Sequence, residues 1–317
     1  MVVAPPPEPP LLVARGEGVD PLEIPRDEEL VFAVEVDVGF LGSADVGTVT
    51  LSSGVTAYQP PLPPPGSTAP PGPQRHVGWI RSLAEGSYLG YTLHHELSAR
   101  HLPQTAPSIL FHDTQTGSEH RRRELRIGDY DGKRAAVSRS DRHCKGCTNV
   151  EHFVESAWLW GKPSHCKKCK RAEHRIWDPS ETRPVPAGTV DLLSAVYLAR
   201  SMIRENRETT SFPVIDKQKL WDLTVRRGET RTIEVPAGRF RCVLVQLQTT
   251  LPPGEPKDKD GFSGLFGIRG TIRIWMDAAT GVPVMITGEL PVPVVKSLEL
   301  EVKLKSHRGA PPGFVRI

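Results

Sequence analysis

A chain of 317 residues with 40 Lys plus Arg against 37 Asp plus Glu carries a formal net charge of only +3, which excludes polyanion binding by bulk charge; any basic partner site must be local. At 38% hydrophobic and 24% charged the composition is that of a globular protein, and 31 Pro with 28 Gly favour strands and turns over helical bundles. No stretch approaches the roughly 20 apolar residues of a membrane-spanning helix.

Residues 1–25 are Pro-rich and short of large side chains before Leu11, so they are expected to form an extended tail. Pro5, Pro6, Pro7, Pro9 and Pro10 break up any signal-like apolar core, and no basic n-region precedes it. The sequence therefore suggests either a cytoplasmic protein or numbering that begins after a removed leader. Glu29–Val38 alternates as a strand does, and the Gly-rich GFLGSADVG leads into Thr48–Leu51, which predicts a hairpin or bulged pair. Gln59–Gln74, QPPLPPPGSTAPPGPQ, reads as a long polyproline-like surface loop between two strands; a docking motif for Pro-recognising modules is the alternative. Tyr88–Leu97 and Ser108–His112 continue the strand rhythm, and Arg123–Ile127 and Ala135–Val137 flank the turn-rich GDYDGK. The pattern is an antiparallel meander.

One helix stands out in DLLSAVYLARSMIREN. Thr189 is the expected cap, Val190, Leu193, Val196 and Leu198 recur at helical spacing, and Arg200, Arg204 and Arg207 lie toward the end where the helix dipole favours cations. Strands follow: Leu220–Val225, Arg231–Val235, a Pro236-Ala237-Gly238 turn, Phe240–Gln248, then Thr271–Met276 and Val282–Leu290 around a five-residue connection ending in Gly281. In Ser297–Lys305, Leu298, Leu300, Val302 and Leu304 point one way while Glu299, Glu301, Lys303 and Lys305 point the other, so one face is buried and one is wet.

The chemistry lies in the middle. Cys144-Lys145-Gly146-Cys147 and Cys166-Lys167-Lys168-Cys169 are two CxxC pairs separated by 18 residues, a spacing that reads as a zinc site. Two such turns place Cys144, Cys147, Cys166 and Cys169 in a closed tetrahedral shell with about 2.3 Å per bond, structural because no position stays open to substrate. Four thiolates and one Zn2+ leave a charge of about −2, which Lys145, Lys167, Lys168 and Lys170 are placed to offset. His143 and His165, each just before a pair, are read as neighbours of the site and not as ligands. Disulfides are the alternative if the chain is exported; a redox CxxC lacks its βαβ setting, and haem attachment lacks CxxCH. Cys242, the fifth cysteine, reads as a small buried hydrophobe within a strand.

Residues 119–175 hold 15 Lys plus Arg against 8 Asp plus Glu, a net +7 that leaves −4 for the rest. The Arg121-Arg122-Arg123 and Lys167–Arg171 runs suit phosphate contacts if they share one exposed face. The plainer reading is a solvated strand edge that compensates the thiolates, since Phe153, Trp158 and Trp160 are not interleaved with the basic residues. Apparent catalytic motifs fail: GDYDGKR is too short for a phosphate loop, His94-His95-Glu96 with His101 is not HExxH and sits on a predicted strand, Asp258-Lys259-Asp260-Gly261 is half a calcium loop, and no GxSxG occurs.

DLLSAVYLAR at 191–200, IEVPAGRFRCVLVQL at 233–247, GLFGIRGTIRIWMDAATGVPV at 264–284 and the closing SLELEVKL together resemble the bacterial domain-of-unknown-function family 3108. The likeness covers about residues 26–308 and is strongest after 185. It implies a β-rich, barrel-like or strongly curved sheet without established enzymatic activity, in proteins often sent to the cell envelope or periplasm, and it brings no catalytic residues. The four-cysteine insert and the missing leader depart from that pattern.

The expected architecture is thus mainly β: a Pro-rich tail over 1–25, a curved antiparallel sheet or barrel-like domain with one packed helix over 26–308, a zinc-ribbon-like insert over 139–177, and a tail over 309–317. Three roles remain open. One is a non-enzymatic β-domain binding an apolar or envelope-associated ligand between sheet and helix, with structural zinc as clip or as a docking surface for a protein partner. The second is a nucleic-acid or protein adaptor acting through the basic zinc module. The third is an enzyme whose site no motif reveals.

Overall fold

The computed structural model describes residues 9–15, 20–37, 43–58, 75–88, 90–102, 108–118, 120–130, 133–143, 153–154, 165–166, 175–216, 218–255, 262, 269–290 and 298–316. Its N-terminal strands are β1 (Leu11–Val13), β2 (Leu22–Ile24), β3 (Asp27–Asp37), β4 (Ser43–Tyr58), β5 (Arg75–Tyr88), β6 (Tyr91–Leu102), β7 (Ser108–Gly117), β8 (Arg121–Tyr130) and β9 (Lys133–His143). The short β10 (Phe153–Val154), β11 (His165–Cys166), β12 (Arg175–Trp177) and β13 (Glu181–Pro184) lead to helix α1 (Leu192–Arg204). After it come β14 (Thr209–Asp216), β15 (Lys219–Val235), β16 (Gly238–Thr250), β17 (Arg269–Asp277), β18 (Pro283–Leu290) and β19 (Leu298–Arg308).

All but four of the strands form one antiparallel sheet in the order β12-β9-β8-β7-β6-β5-β4-β3-β19-β18-β17-β16-β15-β14, with β13 also on β9. The expected meander is therefore the fold, and β19 returns beside β3 to join its two halves. The sheet curls without closing. Across the seam between its ends, Val190 bridges Val214 of β14, and Arg183 of β13 reaches the Gln218 carbonyl at 2.8 Å and the Glu255 carboxylate. Among the described residues, side chains and a single bridge thus stand where a barrel would have a continuous ladder.

Helix α1 fills one end of the curl. Every residue from Leu192 to Ile203 is buried, which marks a helix enclosed on all sides. It packs on β2, β5, β6 and β14. Asp191 caps it, accepting from the Leu193 and Ser194 amides, while the Thr189 hydroxyl donates to the Pro186 carbonyl. The expected cap is thus two residues off. Gly281, at φ +71, lets the β17–β18 turn press on the helix backbone, where an added Cβ would lie 2.6 Å from the Arg200 carbonyl oxygen.

Both expected tails contain packed residues. β1 pairs with β2, Leu22 and Ile24 are wholly buried against α1, and Arg15 is buried with its guanidinium donating to the Asp20 and Gly188 carbonyls. At the other terminus Phe314 stacks on Phe240 with ring centroids 4.8 Å apart. Leu220–Val225 and Arg231–Val235 are one strand, β15, with an irregularity between Arg227 and Thr230.

Candidate functional site

Both ends of the expected insert, 139–177, lie in the sheet. Arg139–His143 continue β9, and β12 pairs back on it in the register Arg175↔His143, Ile176↔Arg142, Trp177↔Asp141. The chain thus leaves the sheet after His143 and returns at Arg175, its cross-strand partner. Cys144, Cys147 and Cys169 lie outside the described residues. Cys166 is placed only by its backbone, opposite Phe153 in the β10–β11 pair. Among the described residues no group of three or more His, Cys, Asp or Glu side chains is arranged to hold a metal ion.

Arg121, Arg122 and Arg123 do not share a face. Strand alternation sends Arg121 and Arg123 inward, where Asp113 accepts from both at 3.3 Å, and sends Arg122 outward to Asp141 at 3.1 Å. His95 approaches the same Asp113 at 2.8 Å. Burial alone would raise the Asp113 pKa, but the His95 hydrogen bond and the charges of Arg121, His95 and Arg123 outweigh it and hold the carboxyl below its ordinary value. With Asp216 also acting on Arg123, two carboxylates face two guanidiniums at this polar end of the inner face.

The remaining histidine of the His94-His95-Glu96 segment, His101, meets the helix cap. Ser194 Oγ donates to Asp191 Oδ2 at 2.6 Å and lies 3.3 Å from His101 Nε2. These are the residue types of a catalytic triad in the wrong proton order. Because the serine proton points at the aspartate, Ser194 Oγ can only accept from His101, so Nε2 carries the hydrogen and the lone pair sits on Nδ1, which is buried without a partner. Burial, only partly opposed by the Asp191 charge, lowers the His101 pKa to about 4. His101 is 2% exposed, and Ser194 and Asp191 are fully buried. The trio caps a helix. Asp191→Ala is expected to lower unfolding stability by about 1–2 kcal/mol in urea melts, the usual cost of a lost N-cap.

On the outer face, Trp177 lies between two guanidiniums, with Arg139 Cζ 4.4 Å and Arg122 Cζ 5.1 Å from its ring. Arg126 and Arg139 converge on Glu124 at 2.9 and 2.6 Å. The sequence showed the arginines but not this aromatic, which cross-strand pairing supplies.

Residues 169–299 match the model of a family described as a protein of unknown function, DUF3108. The match takes in α1 and β14 to β18, where most of the motifs that carry the resemblance lie. No curated protein matches the chain. Among solved structures, one similar chain is a β-barrel-like protein of domain of unknown function DUF1849 from Brucella abortus, 9% identical over 89% of this chain and 97% of that one, with a TM-score of 0.46. Another is a putative exported protein with a YmcC-like fold from Bacteroides fragilis, 11% identical over 94% and 99% of the two chains, with a TM-score of 0.29. No helix among the described residues is long and apolar enough to cross a membrane.

Proposed function

We propose that this protein is a non-catalytic β-scaffold that carries a structural zinc module at its rim, the module serving as a docking surface for a protein partner. The observation that carries the reading is the pairing of His143 with Arg175: the sheet itself brings together the two ends of the segment that holds both CxxC pairs. A ladder at the base plus metal at the tip would order a segment too small for its own core. Cys144, Cys147, Cys166 and Cys169 would hold the ion, which supplies cross-linking and no reactivity because four sulfurs fill its shell.

An apolar ligand between sheet and helix has less support. That space is occupied by α1, whose Tyr197 is among the largest fully buried side chains. A nucleic-acid role through the Arg121–Arg123 run loses its exposed stripe, since each of the three is paired with a carboxylate.

The test is metal analysis with thiol counting on protein purified without added metal. One zinc per chain is expected, with four thiols becoming reactive on chelation. Cys242 should stay silent until the protein unfolds, because burial, and next the Asp277 charge, push its thiol up to about 12. Cys166→Ser should abolish stoichiometric zinc yet shift scaffold stability by no more than about 0.5 kcal/mol, as for a surface change. Two disulfides and no metal would overturn the reading.

A further inference from the structure

We infer that the outer face of β8 and β9 carries a second site, a cradle for a phosphate-type oxyanion, formed where the chain bulges between β12 and β13. This site is independent of zinc. The Asp178 amide donates to the Ser140 carbonyl at 2.8 Å, and Glu181 is already opposite Ser138. Pro179 and Ser180 therefore face the single residue Arg139, two residues against one, and Pro179 has no amide to offer the ladder. The bulge opens a concavity of about 150 Å³ lined by Glu124, Arg126, Val137, Ser138, Arg139 and Ser180. This leaves room for a phosphate group with a few waters.

The charge around it is arranged for an anion. Glu124 sits between two guanidiniums, accepting from Arg126 Nε at 2.9 Å through one oxygen and from Arg139 at 2.6 Å through the other. One carboxylate cannot neutralise two cations; it fixes their spacing and leaves one positive charge unbalanced. Arg139 is further held over Trp177, so its plane is set before any ligand arrives. Arg126 is 57% exposed and Arg139 35%, so both can be reached from solvent. Burial disfavours charged His112, and although Glu124, 3.9 Å away, favours it, Arg100, Arg126 and Arg139 side with burial and leave its pKa below the ordinary value. Fixed guanidiniums around a phosphate-sized hollow suit a phosphate group, either free or as an anionic lipid headgroup.

The experiment uses the full chain at about 50 mM ionic strength, where surface electrostatics are little screened. Inorganic phosphate and pyrophosphate are titrated by calorimetry, and phosphatidylglycerol-containing vesicles are compared with pure phosphatidylcholine vesicles by co-sedimentation. Binding of at least one anionic probe is expected, weakened about tenfold or more in Arg126→Gln/Arg139→Gln. Ser180→Glu places a negative charge at an exposed lining residue that is not in a strand, so it keeps the fold while expelling the anion. Arg239→Gln/Arg241→Gln, the same two-charge change on exposed residues of β16, is expected to bind as wild type. A response to free phosphate assigns a soluble ligand, and a response to vesicles alone assigns a headgroup. The inference is overturned if no anionic probe binds at low salt, if the Arg126/Arg139 and Ser180 variants bind as wild type, or if a single-stranded oligonucleotide binds more tightly than either probe.

Discussion

Replacing Glu28 by Gln is expected to lower unfolding stability by about 3–5 kcal/mol, the cost of leaving a buried charge uncompensated. Glu28, near the start of β3, accepts from Arg200 of α1 through both oxygens at 2.5 and 2.9 Å, and the side chains are 0% and 6% exposed. Burial would lower the Arg200 pKa, but the charge and hydrogen bonds of Glu28 outweigh it and raise it. The guanidinium also lies 5.0 Å from the Tyr197 ring centroid, and a neutral phenol cannot replace the charge of the carboxylate. Denaturant melts should therefore show a lower midpoint with an unchanged slope. The double variant Glu28→Leu/Arg200→Met separates the two meanings of this pair. If the ion pair chiefly fixes the seat of α1, replacing both partners by apolar groups should be neutral or stabilising by about 1–4 kcal/mol. A loss of less than about 1 kcal/mol in the single variant, the size of an exposed pair, would show that water reaches Arg200.

The same interface explains what could be read from the sequence and what could not. β19 was legible because one face is wet: Leu300, Val302 and Leu304 are buried while the residues between them reach solvent, so period-two contrast is written into the residue types. β5 was not. Its inward positions include Gly78, Ser82 and Ala84, small because α1 and β2 approach closely; a Cβ on Gly78 would meet Ile24 Cδ1 at 2.5 Å. Small inward residues erase the hydrophobic alternation on which strand reading depends. β14 hid behind Pro213, which belongs on an edge strand but reads as a break. Leu11, Leu22 and Ile24 looked like isolated apolar residues in a Pro-rich tail because the surface that buries them comes from residues far along the chain. Thr189 and Asp191 are both good capping residues, and local sequence does not rank them. Only the two amide contacts of Asp191 do. The cysteine pairs were visible through spacing, a local property. The Arg139–Trp177 and Arg126–Glu124–Arg139 contacts were not, since each depends on strand register and, for the hollow beside them, on a bulge.

Lowering the pH from 6.5 to 4 is expected to remove on the order of 3 kcal/mol of stability through His101 alone, from about 1.4 kcal/mol per pKa unit. The sign follows from the native pKa of about 4 against an ordinary value of 6.5. The native state holds the ring neutral while the unfolded chain takes up a proton, so the contribution is intact above pH 6.5 and declines as the pH falls toward 4. His112 and His307 are also lowered, burial being the largest cause in each, and add to the loss in the same direction. Asp113, held below its ordinary 3.8, contributes in a more acid window. The isolating measurement is therefore the difference between wild type and His101→Gln across pH 4 to 7. Glutamine can still donate to Ser194 Oγ but cannot titrate, so the variant's stability should fall less steeply. Resonances of the His101 ring should independently remain those of a neutral Nε2–H imidazole down to about pH 4.5. A ring that titrates near 6.5 would mean that the Ser194 cap opens to water in the native state, and the enclosure of α1 by sheet and N-terminal strands would have to be redrawn.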